Sequence, residues 1–368
     1  HPNVSLFEKE VAAIQADQLA HAQAGGVRTL EHRLIADAKR GCNIRCVEET
    51  FHLVLREHFR QRPLQLRGVE AHVDVVELAL YNSVLSGVSL GGTNFFYVNP
   101  LRQLDPLPAE LRWSRTRVPY VSSFCCPPNL VRTIAEVNGY AYSKSGDTLW
   151  LNLYGGSTLA TTLPEGESVK LTQETDYPWS GRVRIKIEAG GPAPFALKLR
   201  IPGWAKSAAV RVNAAAPDVS PMPGTYFEIR RAWRAGDVVE LDIPMPAQLL
   251  EANPLVEEAL NQGALKRGPV VYCLESSDLP QGVRLMDVMV PRNIDLGPRY
   301  DSRLLGGVAV IEGRAFARPT PNWNGQLYRE LESQPARSFN ARFIPYFVWG
   351  NRGPSEMSVW IRIGDRLE

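Results

Sequence analysis

The sequence predicts a multidomain α+β chain in which a helical first part is followed by β-sandwich material. Two observations carry this. Apolar residues recur at three- and four-residue spacing as far as about residue 140, and beyond it they alternate with polar ones. The change of period falls within 368 residues of 44% hydrophobic content, enough to bury a large core and to divide into two or more domains.

Taken in order, Ser5 with Glu8 fits a capping box ahead of Val11, Ala12, Ile14 and Leu19, and Gly25-Gly26 supplies the stop. Further helices fit "EETFHLVLREHF" (48–59) and "VEAHVDVVELALYNSVLSGV" (69–88), both with apolar three- and four-residue spacing. A fourth fits "PPNLVRTIAEVNG" (127–139), with Pro in its first turn and Gly139 near its end. Between the last two, "SLGGTNFFYVNP" (89–100) reads as a hairpin or extended loop. Strands follow at 147–154, 181–189, 195–203, 208–213 and 237–244, with turns signalled by Ser145-Gly-Asp and Ala235-Gly-Asp. Segments 269–275 and 357–363 continue the alternation. The domains expected are 1–140 and 141–368, the second read as two sandwiches.

Composition narrows the partners. A net charge of +2 without a Lys/Arg-rich run argues against nucleic acid and anionic membrane, and no apolar run is long enough to span a bilayer. The N-terminal stretch lacks a basic region followed by an apolar one and has no initiating Met, so the chain reads as though it begins mid-protein. The five cysteines (42, 46, 125, 126 and 273) make a poor disulfide framework and a better set for metal or catalysis. They favour a reducing compartment, the cytoplasm ahead of the periplasm. No Walker A loop, GxGxxG turn, HExxH or GxSxG is present.

The chemistry centres on "SSFCCPPN" (122–129). Prolines at a helix start place Cys125 and Cys126 at its N-terminus, where the dipole and unpaired N–H groups favour thiolate, and zinc takes thiolates. Two small residues buried in a tight turn is the equally weighted alternative. Cys42 and Cys46 are spaced loosely like half a zinc site, and Glu48 and Glu49 suit a first helical turn without any function. Glu31 and His32 lie in a loop after a helix stop, and Glu77 is either a pocket carboxylate or a salt-bridge partner. His52, His58 and His72 read as ordinary helix residues.

Several segments together resemble glycoside hydrolase family 127, the β-L-arabinofuranosidase-like enzymes. They are "GGVRTLEH", "EET", "VVELALYNSVLSGVSLGGTNFFYVNPL" and "SSFCCPPNLVRTIAEVNGYAYS", then "DYPWSG", "LRIPGWA", "LKRGPVVYCLE" and "FIPYFVWGNRGPSEMSVW", collinear along nearly the whole chain. The resemblance implies an (α/α)6 barrel followed by β-sandwich domains, with residues 1–140 matching the second half of the barrel only. It also implies a retaining glycosidase acting on L-arabinofuranosides or a related rare sugar of plant glycans, with a zinc-held cysteine in place of the second carboxylate.

By position, Cys125 matches the nucleophile and Glu31 the general acid/base. Glu49 and Cys126 match zinc ligands together with Cys125, and Glu77, Tyr97 and His32 fall among substrate-binding residues. Phe51 stands where the family has a further cysteine ligand, so either Cys46, the first choice, or Cys42 substitutes from the preceding loop, or zinc binding is weak or absent. The missing barrel half would belong to a longer polypeptide or come from another chain, a homodimer partner included. Failing both, the chain would be a truncated, non-catalytic carbohydrate-binding or assembly module.

Overall fold

The computed structural model describes residues 69–105, 113–122, 125–164, 166–318, 324–330 and 335–364. The expected helices before residue 69, with Glu31, His32, Cys42, Cys46, Glu49 and Phe51, lie outside the described residues. What is described is rich in strands, with two α-helices, α1 (Val69–Ala79) and α2 (Cys126–Ala141). Neither is long and apolar enough to cross a membrane.

Helix α1 continues into a π-helical turn, Leu80–Val84. The widening has a local cause. Asn82 donates to the Leu78 carbonyl at 2.7 Å, and the Ser83 hydroxyl donates to that of Ala79 at 3.2 Å, so side chains enter the helical ladder. The Asn82 amide also donates to Pro269 O at 2.8 Å and accepts from Val271 N–H at 2.7 Å. One side chain thus fastens the helical segment to a β-strand far along the chain. Asn82→Ala is expected to cost about 2 kcal/mol, because it strands the buried partners of those bonds. A lower thermal midpoint with faster exchange of the Val271 amide would show it, and parent values for both would refute it.

Helix α2 runs through Gly139 and ends at Ala141, where Tyr142 turns extended and begins the first sandwich strand. Two sheets face each other from there to residue 242. One is ordered Ser157–Thr162, Ser168–Thr175, Arg182–Ala189, Val238–Asp242, Ala209–Val212; the other is Tyr142–Ser145, Thr148–Leu151, Phe195–Ile201, Thr225–Arg231. Alternation explains the pairing of faces: Val183, Ile185 and Ile187 point inward between exposed Arg182 and Arg184. They meet Leu149, Leu151, Phe195, Leu197 and Leu199 of the opposite sheet in a single core that also takes Trp233. The expected Gly turns hold, with Gly146 at φ 58° and Gly236 at φ 95°.

The strand Phe195–Ile201 departs from alternation, being buried on both faces except at Lys198. Its outward Arg200 is fully buried through ion pairs with Asp74 and Glu77 of α1.

From residue 247 onward nine strands, joined by Arg102–Gln103, form one ten-stranded sheet. Strands Val270–Glu275, Arg337–Pro345, Val308–Ala317, Val288–Pro291, Ile361–Gly364 and Gln262–Arg267 pair in that order, and the last pairs back onto the first. The sheet therefore closes on itself around Tyr272, Leu274, Val290, Ile311 and Phe343, which leaves no open edge along that ring. The short strand Arg102–Gln103 adds to Met357–Ser358, so the segment after α1 is hydrogen-bonded to this domain.

Candidate active site

The two adjacent cysteines occupy the start of α2, as N-cap and first residue, with the prolines in the first turn. That placement follows from backbone chemistry. The first turn has no intrahelical partner for its N–H groups, so Pro127 and Pro128 lose nothing there, and their fixed φ suits the helix. The chain therefore presents both sulfurs at the positive end of the helix dipole, which favours thiolate.

The sulfurs differ in exposure. Cys126 is 1% exposed, whereas Cys125 is half-buried and the more accessible sulfur. They lie 3.4 Å apart, well beyond a disulfide bond of about 2.05 Å. Two thiolates sharing one tetrahedral zinc at about 2.3 Å each would lie roughly 3.8 Å apart, so the pair fits a common ion with little adjustment. Among the described residues no group of three or more His, Cys, Asp or Glu could hold a metal. The other expected ligands, Glu49 and Cys46, lie outside them, as do Glu31 and His32.

Cys273 is the contrast. It is wholly buried in the C-terminal domain, and burial, followed by the Glu275 carboxylate, pushes its thiol well above the usual range. It stays a protonated core thiol.

Tyr97 comes to Cys125 from the loop between α1 and α2, its hydroxyl 3.7 Å from the sulfur. The loop is shaped by a turn from Ser89 O to Gly92 N at 2.8 Å and by Phe95, which exchanges backbone hydrogen bonds of 2.8 and 3.0 Å with Val118. The Tyr97 ring lies against Trp113, centroids 3.7 Å apart and planes 24° from parallel. Arg117, on the same returning segment as Trp113, is a buried clamp. It donates to Ser86 O at 3.1 and 2.8 Å, to Trp349 O at 2.5 Å and to Phe347 O at 3.3 Å, with its guanidinium 4.3 Å over the Phe96 ring. Burial lowers its pKa to about 10, and the carbonyl cage keeps the cation in place.

Glu77 lies in the seam between α1 and the first sandwich and is fully buried. One oxygen accepts from Arg200 and from the Tyr177 hydroxyl, and the other accepts from Trp204 Nε1 at 3.0 Å. Asp74, one turn earlier, takes the other side of Arg200 and the Gly203 N–H at 2.7 Å. Burial raises the Asp74 pKa, an effect only partly offset by Arg200. Burial alone would lower the Arg200 pKa, but Glu77, Tyr177 and Asp74 hold it above the usual guanidinium value. Burial, then Glu77, lifts the Tyr177 phenol far above its usual value. In this structure Glu77 anchors the helix to the sandwich.

That anchor was hidden in the sequence, yet its signal was there. "DYPWSG" supplies Tyr177, and "LRIPGWA" supplies Arg200 and Trp204, so two segments that mark the resemblance converge on one carboxylate. Nothing in the sequence pointed to Trp113.

Three family models match in register with these parts. The β-L-arabinofuranosidase GH127 catalytic-domain model matches residues 43–139, the middle-domain model 148–245, and the family's C-terminal-domain model 247–362. The chain belongs to glycoside hydrolase family 127. Curated and solved relatives agree. A non-reducing end β-L-arabinofuranosidase of Bifidobacterium longum subsp. longum is 29% identical over 328 residues, spanning 85% of this chain and 49% of that protein. A solved glycoside hydrolase is 41% identical with a TM-score of 0.79, over 86% of this chain and 51% of its own. A family 127 β-L-arabinofuranosidase from Geobacillus stearothermophilus T6 is 38% identical with a TM-score of 0.76, over 86% and 49%. The chain thus spans about half the length of the relatives it matches. These relatives share the family's β-rich, multidomain organisation with this chain.

Proposed function

We propose that the protein is a retaining glycoside hydrolase that releases L-arabinofuranose, or a related rare sugar, from plant-type glycans, with Cys125 as nucleophile. The observation that carries the reading is Cys125 itself: a half-buried sulfur at a helix N-terminus, beside Cys126 and within reach of the Tyr97 hydroxyl. The names of the relatives supply the sugar.

In the first step the Cys125 sulfur attacks the anomeric carbon and the carbon–oxygen bond to the leaving group breaks, while the Glu31 carboxylic acid gives its proton to the departing oxygen. In the second, the Glu31 carboxylate takes a proton from water as that water attacks the same carbon. The carbon–sulfur bond breaks, and the sugar leaves with its original anomeric configuration. Tyr97 and His32 bind the sugar. Glu49, Cys126 and Cys125, with Cys46 in place of the cysteine absent at position 51, would hold a zinc ion that keeps the nucleophile deprotonated and oriented. The ring of helices that the family resemblance implies would enclose this site, with its first half supplied by further chain or by a partner.

Hydrolysis of 4-nitrophenyl glycosides tests the reading. The purified protein is expected to cleave the β-L-arabinofuranoside ahead of pyranosides and α-linked furanosides. It is also expected to carry one zinc per chain by elemental analysis and to lose activity on chelation and recover it with zinc. No cleavage of any furanoside by the zinc-loaded protein would favour the non-catalytic module. Undiminished cleavage after complete metal removal would strike out the zinc.

A further inference from the structure

The Tyr97–Trp113 stack raises a question of its own, because a tyrosine hydroxyl beside a reactive sulfur is useful only if its ring cannot swing away. Tyr97 sits on a loop, where side-chain freedom is ordinarily greatest. Here the ring is fixed from one face by the Trp113 indole. Trp113 in turn belongs to a segment held at two further points: Phe95 and Val118 exchange backbone hydrogen bonds, and Arg117 is caged by the carbonyls of Ser86, Phe347 and Trp349. Arg115 also donates to Leu104 O and, at 3.2 Å, to Asp105. The anchorage therefore runs from the C-terminal β-domain to Arg117, along the backbone of that segment to Trp113, and by contact to Tyr97 and the Cys125 sulfur.

We propose that Trp113 is a positioning residue that holds the Tyr97 hydroxyl on the Cys125 sulfur, so that the reactivity of Cys125 is set through an aromatic stack anchored on the β-domain. The inference builds on Cys125 as the nucleophile, but its test does not depend on sugar cleavage. A stacked aromatic pair contributes on the order of 1 kcal/mol beyond its buried area, enough to select one ring orientation about fivefold over its rivals. Losing the stack frees the hydroxyl from the sulfur, so Trp113 and Tyr97 act on Cys125 as a unit.

The experiment is a double-mutant cycle on the rate of Cys125 alkylation by iodoacetamide, with the modified peptide located by mass spectrometry. Trp113→Ala and Tyr97→Phe are each expected to change that rate threefold or more in the same direction, and the double variant to change it no further. Trp113→Phe keeps a stacking ring and is expected to stay within twofold of the parent. Trp113→Leu fills the volume without a π face, should follow the alanine variant, and serves in its place if that variant does not fold. In turnover, Trp113→Ala is expected to lower kcat several-fold and, because Tyr97 also binds the sugar, to raise KM. Multiplicative effects in the double variant, or a parent rate in Trp113→Ala or Trp113→Leu, would overturn the assignment. A parent protein inert toward every furanoside would remove the glycosidase reading and leave the alkylation cycle to judge the stack.

Discussion

Replacing Glu77 by alanine is expected to destabilise the protein by about 3–5 kcal/mol, because it leaves the fully buried Arg200 cation with half of its compensation. The change also strands the Tyr177 hydroxyl and the Trp204 indole N–H, each a donor that would then face a cavity. Glu77→Gln keeps the shape and one acceptor but not the charge, and its expected loss is smaller, about 1–3 kcal/mol. The sharper comparison is the pair Glu77→Leu with Arg200→Met. It removes both charges of that pair at similar volume but takes Arg200 from Asp74 as well, so it is expected to recover part of the stability lost by either change alone. Urea unfolding followed by tryptophan fluorescence reads all five variants. A Glu77→Ala midpoint equal to the parent's would mean that Asp74 alone satisfies Arg200, and the anchor as described would be wrong.

Replacing Cys125 by serine is expected to lower kcat on an aryl β-L-arabinofuranoside by about 10³-fold or more, which is at least roughly 4 kcal/mol of lost transition-state stabilisation. A serine hydroxyl is protonated at neutral pH and is a far weaker attacking group than a thiolate. Its size is nearly that of cysteine, so the helix start and its proline turn should be undisturbed. Glu31→Gln has a different signature. With a 4-nitrophenyl leaving group, which departs without help, the first step is spared and the second is slowed; with a natural glycan both are slowed. Retained activity in Cys125→Ser, alongside loss in Cys126→Ser, would exchange the roles of the two sulfurs.

Much of the fold could be read from local pattern. Val183, Ile185 and Ile187 alternate cleanly because one face of their strand meets the core and the other meets water. Helix α2 was visible from its prolines and apolar spacing, although Gly139 did not end it. Gly tolerates the helical interior at a cost of about 1 kcal/mol, and the strand that begins at Tyr142 supplies the real stop.

Much of what escaped the pattern has one cause: partners distant in sequence. Arg200 alternates outward and would be placed in water, yet a helix more than a hundred residues earlier covers it. The tie from Asn82 in the π-turn to Pro269 and Val271 is one that no local window contains. The strand Ser157–Thr162 was missed because "STLATT" has few apolar residues to mark a face.

The candidate site divides along the same line. The cysteine pair is adjacent in sequence, and its position before two prolines already implied a helix start. Tyr97 and Trp113 are brought together by the turn at Ser89–Gly92 and the Phe95–Val118 bridge, so the stack exists only in three dimensions.

The central claim is that a sugar is carried on the Cys125 sulfur, and the most direct measurement is the mass of the protein during turnover. Glu31→Gln protein is mixed with 4-nitrophenyl β-L-arabinofuranoside, quenched in acid and digested. The account predicts one anhydropentose unit on the peptide that contains Cys125 and Cys126, with fragmentation placing it on Cys125. Release of 4-nitrophenol with no adduct on either cysteine, or an adduct on a carboxylate elsewhere, would contradict it.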